Sequence, residues 1–228
     1  MLTPAEIANR LASVRERIAA AARRSDRAAD AITLVLASKT QPPEAIRAAY
    51  AAGARDFGEN YAQEAGSKRK ALGTLAGARW HLIGHLQTNK AKLAVSIFDV
   101  IQSVDSARLA TALGKARSAP LVRALVEVNL GGEASKNGAP PDELEALIAS
   151  ARDQVSLGGL MTIPPPGVPE TSRRYFVQLR ELRDRLAAHS GLALSELSMG
   201  MTDDFEIAIE EGATIVRVGR AIFGERTR

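Results

Sequence analysis

The sequence predicts an α/β protein, a single (β/α)8 barrel of the TIM type preceded by an N-terminal helix, on three observations. Eight short runs rich in Val, Ile and Leu alternate with Ala- and Leu-rich runs of helical period, the mark of repeated βα units. The 228 residues lie near the norm for eight such units and leave no surplus for a second domain, so residues 1–228 are expected to form one. The first run passes into Ser38-Lys39-Thr40 without glycine, whereas a doubly wound open sheet would carry a Gly-rich turn there.

The leading helix is set by Ile7, Leu11, Val14 and Ile18, which share one apolar stripe. Thr3 as N-cap, Pro4 behind it and Glu6 three residues on form a capping-box pattern, so the helix begins near residue 3. The strands follow at 32–38, 55–59, 80–84, 99–103, 123–129, 157–162, 194–198 and 214–218. Helical stretches fill the gaps at about 43–52, 61–72, 88–95, 106–117, 141–152, 170–189 and 203–211. Pro164-Pro165-Pro166-Gly167 after the sixth strand reads as a rigid loop.

Composition removes several function classes. With 46% hydrophobic and 25% charged residues the chain is an ordinary globular one. It has no apolar run of about 18 residues and opens on Pro4 and Glu6, so neither a membrane span nor a signal peptide is expected. Zero cysteines exclude disulfides, thiolate metal sites and cysteine nucleophiles, and a cytoplasmic location is the expectation. Net charge is only +4, and the basic stretches Arg10 to Arg27 and Arg173 to Arg185 contain Glu16, Asp26, Glu181 and Asp184 at helical spacing. With aromatics at 4%, these are solvated helix faces and no nucleic-acid partner is expected.

In such a barrel the functional face lies at the C-terminal strand ends. These ends hold Lys39, Glu59-Asn60, His85, Asn129, Met161-Thr162, and the pair SMGMT (198–202) and VRVGR (216–220). Lys39 is one of seven lysines in an arginine-dominated chain. Desolvation at a barrel mouth disfavours its ammonium and leaves an amine able to condense with an aldehyde; the other reading is a stem packed on the barrel end with its head in water. After strands seven and eight, Gly200 and Gly219 let backbone amides approach an anion, and Ser198 and Thr202 offer hydroxyls. Asp203 and Asp204 in the next helical turn would repel a phosphate, so both are expected to face solvent or arginines. The glycines are equally compatible with steric turns. Arg217 alternates inward between Val216 and Val218, either to meet a ring nitrogen or to pair with Glu127 or Glu59.

His81 and His85 are four apart, but Leu82 stands where a zincin needs Glu, and no metal site is expected. Gly131 to Lys136 lacks Walker A spacing, and no G-x-S-x-G elbow exists.

The segments LVLASKTQP (34–42), FGENYAQE (57–64), WHLIGHLQTNK (80–90), IQSVDS (101–106), EVNLGGEASKNG (127–138), GLMTI (159–163), LSMGMTDDFEIAIEEGATIVRVG (197–219) and AIFGER (221–226) resemble the pyridoxal phosphate homeostasis proteins. That family is similar to the N-terminal barrel of alanine racemase, and the resemblance spans nearly the whole chain. It implies that Lys39 carries pyridoxal 5'-phosphate as an internal aldimine. It implies phosphate contacts from Ser198, Gly200, Thr202, Gly219 and the amide of residue 220, with Arg217 facing the pyridine nitrogen and Asn60 and His85 near the cofactor. Position 220, often a small hydroxyl residue in the family, is Arg220 here, so a side-chain contact becomes charged or is left to the backbone.

Alanine racemase also needs a β-rich domain and an opposing tyrosine. This sequence ends at Arg228, and Tyr50, Tyr61 and Tyr175 are its only tyrosines. The implied role is to hold the cofactor and maintain the vitamin B6 pool, with pyridoxal-phosphate-dependent apo-enzymes as recipients, without robust catalysis of its own. An amino-acid racemase-like enzyme and a cofactor-free Schiff-base aldolase are the alternatives. A monomer is expected, and Lys136 reads as an exposed loop lysine before a second ligand site.

Overall fold

The computed structural model describes residues 2–116, 120–133 and 136–225. Ala134, Ser135 and Arg226, within two of the family-like segments, and Arg117, the expected end of one helix, lie outside the described residues. The eight strands are β1 (Thr33–Ala37), β2 (Asp56–Glu59), β3 (Arg79–Leu82), β4 (Val100–Val104), β5 (Arg123–Glu127), β6 (Ser156–Met161), β7 (Glu196–Ser198) and β8 (Ile215–Val218). They pair in parallel in sequence order, and β8 closes onto β1 with Val35 opposite Arg217. Each falls within a residue or two of its expected segment.

The helices are α1 (Pro4–Arg24), α2 (Pro43–Ala51), α3 (Ala62–Leu72), α4 (Ala91–Ile97), α5 (Ala107–Ala116), α6 (Leu144–Ala151), α7 (Arg173–Ser190), α8 (Phe205–Glu210) and α9 (Arg220–Phe223). Three start later than the pattern suggested, because single 3₁₀ turns at Thr88–Lys90, Pro141–Glu143 and Pro169–Ser172 lead into α4, α6 and α7. In two of them a proline sits where a first turn tolerates a missing N–H. α9, a four-residue helix directly following Gly219, was not expected from periodicity, which has no purchase on so short an element.

α1 carries the capping box of Thr3 and Glu6. Its stripe Ile7, Leu11, Val14 and Ile18 is buried, each such burial stabilising by about 1.5–3 kcal/mol. Outward strand residues such as Leu36, Phe57, Trp80, Ile101, Val126, Leu197 and Val216 pack with the helices into the main core. Their inward neighbours differ in kind. Val35, Leu125, Met161 and Ile215 form a separate small apolar cluster, and the alternating positions also deliver Asp56, His81, Gln102, Ser198 and Arg217 to the interior. Among the described residues every buried side-chain nitrogen and oxygen has a partner, as a polar interior requires.

Candidate functional site

At the C-terminal end of the strands a cavity of about 560 Å³ is lined by Lys39, Asn60, Tyr61, His85, Glu127, Met201 and Arg217, among others. That volume lies within the range of small-molecule sites. A second hollow of about 260 Å³ lies between the proline loop and the turns after β7 and β8, lined by Thr202, Asp203, Gly219 and Arg220 among others. The two share Ala37, Met201 and Arg217 as lining, so they lie side by side as two parts of one trough, with Arg217 bordering both.

Lys39 follows β1 and is half-buried. The next residue, Thr40, has φ +66°, a conformation that a β-branched residue adopts only when its surroundings impose it. Those surroundings are visible. Its N–H donates to Glu64 Oε1 at 2.8 Å. On the other side, the carbonyl of Ser38 accepts from Lys68 Nζ at 2.8 Å, and the Ser38 hydroxyl donates to Glu59 Oε1 at 2.6 Å. Lys68 also bonds Glu59 at 2.9 Å and Glu64 at 2.6 Å. The turn bearing Lys39 is therefore held on both flanks by one buried ionic cluster. Burial lifts the Glu59 carboxyl above its usual range despite Ser38 and Lys68. In less buried Glu64, hydrogen bonds from Lys68 and Thr40 outweigh the burial and hold the carboxyl below that range.

Asn60 begins the loop after β2 and presses against Gly84, where an added Cβ would lie 2.6 Å from the Asn60 carbonyl oxygen. Gly84 is thus required for the approach of two loops that line the cavity. His85 is exposed and its Nδ1 lies 3.2 Å from Asp105 Oδ2. His81 points instead into the barrel, so the two histidines diverge. His189, on α7, pairs with Glu145 at 3.3 Å.

Arg217 is buried, with 4% of its surface exposed. Its Nη1 donates to the Ser198 hydroxyl at 2.5 Å and its Nη2 to the Thr162 carbonyl at 2.8 Å. The pairings with Glu59 or Glu127 anticipated from the sequence do not form as hydrogen bonds: Glu59 is committed to Ser38 and Lys68, and Glu127 acts only through its field. Burial lowers the Arg217 pKa to about 10, against the opposing fields of Glu127 and Asp204.

Of the anion-binding residues expected after β7 and β8, the structure brings Thr202, Gly219 and Arg220 to the smaller hollow. Ser198 and Gly200 do not line it. Ser198 lies inside the barrel with its hydroxyl bonded to Gln102 and Arg217. Gly200 makes the positive-φ turn, at φ +92°, where a Cβ would meet Ala208 at 2.5 Å. Asp203 pairs with Arg220, as expected. Asp204 does not face solvent: it is buried, accepts the Met201 N–H at 2.7 Å, and meets Arg217 through its field. Arg220 also reaches Glu225 at 3.4 Å. In α9 the N–H groups of Ile222 and Phe223 donate to the Gly219 carbonyl at 3.0 and 2.9 Å, so only those of Arg220 and Ala221 lie ahead of the helix's own bonding.

Away from the trough, Asn129 ties its loop through Glu133 and Lys136 carbonyls. Lys136 pairs with Glu133 at 3.2 Å. Glu127 was not expected as a pocket group. Burial raises its pKa to about 7, Asp105 adding to the rise and Arg217 opposing it. A glutamate closing an inward-alternating strand at the same barrel mouth as Lys39 was the available signal. Lys68 and Glu64, spaced i, i+4 on α3, gave none that separates them from a surface ion pair.

A lysine amine, an enclosed guanidinium and a hollow with amide, hydroxyl and guanidinium donors fit an aldehyde-bearing, aromatic, phosphorylated ligand. A family model described as the alanine racemase N-terminal domain matches residues 10–227. The chain is 46% identical over 222 residues to the pyridoxal phosphate homeostasis protein of Aquifex aeolicus, covering 95% of this chain and 97% of that one. It is 41% identical to the Escherichia coli K12 protein of the same name, covering 97% of each. Among solved structures, PipY of Synechococcus elongatus with PLP bound superposes with a TM-score of 0.84 at 38% identity, over 96% of this chain and 100% of that one. Alanine racemase of Corynebacterium glutamicum shares the fold, with a TM-score of 0.72 at 17% identity over 98% of this chain and 61% of that one. No helix among the described residues is long and apolar enough to cross a membrane. This chain, with its racemase-type barrel, belongs to the pyridoxal phosphate homeostasis protein family.

Proposed function

We propose that the chain holds pyridoxal 5'-phosphate in the trough, covalently through the Lys39 amine, and maintains the vitamin B6 pool by taking up and releasing it. The observation that carries this reading is that Arg217 borders both hollows, the one lined by Lys39 and the one lined by Thr202, Gly219 and Arg220. When bound, the cofactor supplies an electron-withdrawing ring joined to an imine carbon. Arg217, held by Ser198 and Thr162, would face the ring nitrogen and keep it unprotonated, which weakens the ring as an electron sink. Thr202, the Gly219 backbone and the Arg220 amide would take the phosphate, with the Arg220 guanidinium at the rim. Asn60 and His85 would border the ring. Such a site favours retention over carbanion chemistry. We further propose one domain, a cytoplasmic monomer, and apo-enzymes dependent on this cofactor as recipients.

A racemase-like second reading is favoured by one observation: Glu127, titrating near neutrality, lines the same cavity as Lys39. The test is the visible spectrum of wild type and Lys39→Ala with added pyridoxal phosphate, before and after borohydride. A band reduced onto the Lys39 peptide and missing from the variant is expected, and its absence from wild type overturns the reading. Amino-acid racemisation well above free cofactor, lost in Glu127→Gln, would establish the enzyme instead.

A further inference from the structure

Six residues from five strands join end to end through the barrel interior. Arg217 Nη1 donates to Ser198 Oγ at 2.5 Å, and the Ser198 hydroxyl donates to Gln102 Oε1 at 2.6 Å. Gln102 Nε2 lies 3.0 Å from His81 Nδ1, and His81 Nε2 lies 2.8 Å from Asp56 Oδ1. Asp56 closes the row on Arg79, at 2.8 Å. Arg217 opens into the trough, whereas Asp56 lines a hollow of about 440 Å³ among loop residues such as Gly53 and Arg55 that precede β2. Ser198, Gln102 and His81 are buried throughout.

The direction of every bond follows from one end. Arginine has donors only, so Ser198 Oγ must accept from Arg217, and its single hydrogen goes to Gln102. Gln102 must then present its oxygen to Ser198 and its NH₂ to His81. His81 Nδ1 therefore accepts and carries no proton, and the ring hydrogen sits on Nε2, aimed at the Asp56 carboxylate. That carboxylate is held below its usual range: its burial is outweighed by hydrogen bonds from His81 and Arg79. Turning over any one member would set donor against donor or acceptor against acceptor among buried groups, where a mismatch is costly.

We infer that Ser198, Gln102, His81 and Asp56 act as one positioning chain that fixes the guanidinium of Arg217 in the trough and passes changes at that guanidinium down to the opposite face of the barrel. Its last step, a response to ligand, rests on the cofactor reading; the coupling among the residues does not.

The chain has only three histidines, so ¹⁵N-histidine labelling resolves His81 directly. Long-range ¹⁵N–¹H spectra of the full chain are recorded for wild type, Ser198→Ala, Ser198→Thr and Gln102→Glu, with and without pyridoxal phosphate, alongside absorption titrations. In wild type, His81 is expected as the Nε2–H tautomer. Ser198→Ala should shift both His81 nitrogens, although Ser198 bonds Gln102 and not His81, and Ser198→Thr should restore them. Gln102→Glu, which offers no donor, should place a second proton on Nδ1. Ligand should move the His81 signals in wild type and not in Ser198→Ala, whose cofactor affinity should fall about ten-fold or more, the scale of one hydrogen bond to a charged group. His81 protonated on both nitrogens in wild type overturns the inference. So does a His81 spectrum unchanged in Ser198→Ala, or, should that variant not fold, one unchanged in Gln102→Glu. A His81 response to Ser198→Ala without any cofactor band would sink the cofactor reading and uphold the chain.

Discussion

Lys68 Nζ lies 2.9 Å from both carboxylate oxygens of Glu59, and this pair sits directly behind the turn that presents Lys39. Glu59 is fully buried and the Lys68 side chain is 8% exposed, so neither charge has water to fall back on. A buried pair of this kind is weak evidence for stability, because each charge loses its hydration. Its consequence here is geometric: the pair and Glu64 fix both flanks of a turn whose Thr40 would otherwise leave the left-handed region.

Lys68→Met is therefore expected to destabilise the protein by about 3–5 kcal/mol, because it leaves Glu59 buried without its cation. Urea unfolding measures this. The double variant Lys68→Met/Glu59→Leu should recover part of the loss, and a simple sum of the two single effects would show that the residues are not coupled.

Glu127 makes stability depend on pH. Its folded pKa of about 7 lies above the ordinary glutamate value of 4.5, so the folded state retains a proton that the unfolded state has released. Stability from this group is accordingly greatest below pH 4.5, declines as pH rises towards 7, and then levels off. The full span is about 3–4 kcal/mol at most. Glu127→Gln should flatten that decline, and unfolding curves at pH 5 and pH 8 compare the two. An unchanged slope in the variant would remove Glu127 as the source.

Gly84→Ala drives a methyl into backbone atoms of Asn60, 2.6 and 2.8 Å away, where no side chain can swing clear. The expected cost is about 1–3 kcal/mol, as for overpacking elsewhere. A crystal structure of the variant should show the Asn60 loop displaced from the trough.

Asp203→Asn removes the nearer of the two acidic partners of Arg220 at the edge of the smaller hollow and leaves Glu225. Because both side chains are largely exposed, the pair is worth no more than about 1 kcal/mol, and phosphate-ligand affinity should rise by about five-fold or less. Titration of pyridoxal phosphate and of inorganic phosphate reads this directly. Unchanged binding in the variant would place Arg220 outside the phosphate's reach.

What the sequence determined by itself was whatever short-range periodicity encodes. The order of eight strands follows from runs such as LVLA and IVRV recurring between amphipathic stretches, and the start of α1 from the Thr3 and Glu6 spacing. The strand ends then placed Lys39, Asn60, His85 and Arg217 at one mouth, because closing a parallel barrel brings every strand's C-terminus to the same face. Which way a polar side chain turns was decided only in three dimensions. Ser198 and Thr202 are four residues apart and chemically alike, yet one is sealed inside on Gln102 and the other borders the hollow. Gln102, His81 and Asp56 looked like scattered polar residues until alternation on neighbouring strands stacked them into a row. Lys68, on α3, reaches Glu59 only because the helix docks over β2. Periodicity is local in the chain, whereas a hydrogen bond needs two groups from distant segments within about 3 Å, and the closed barrel alone supplies that distance.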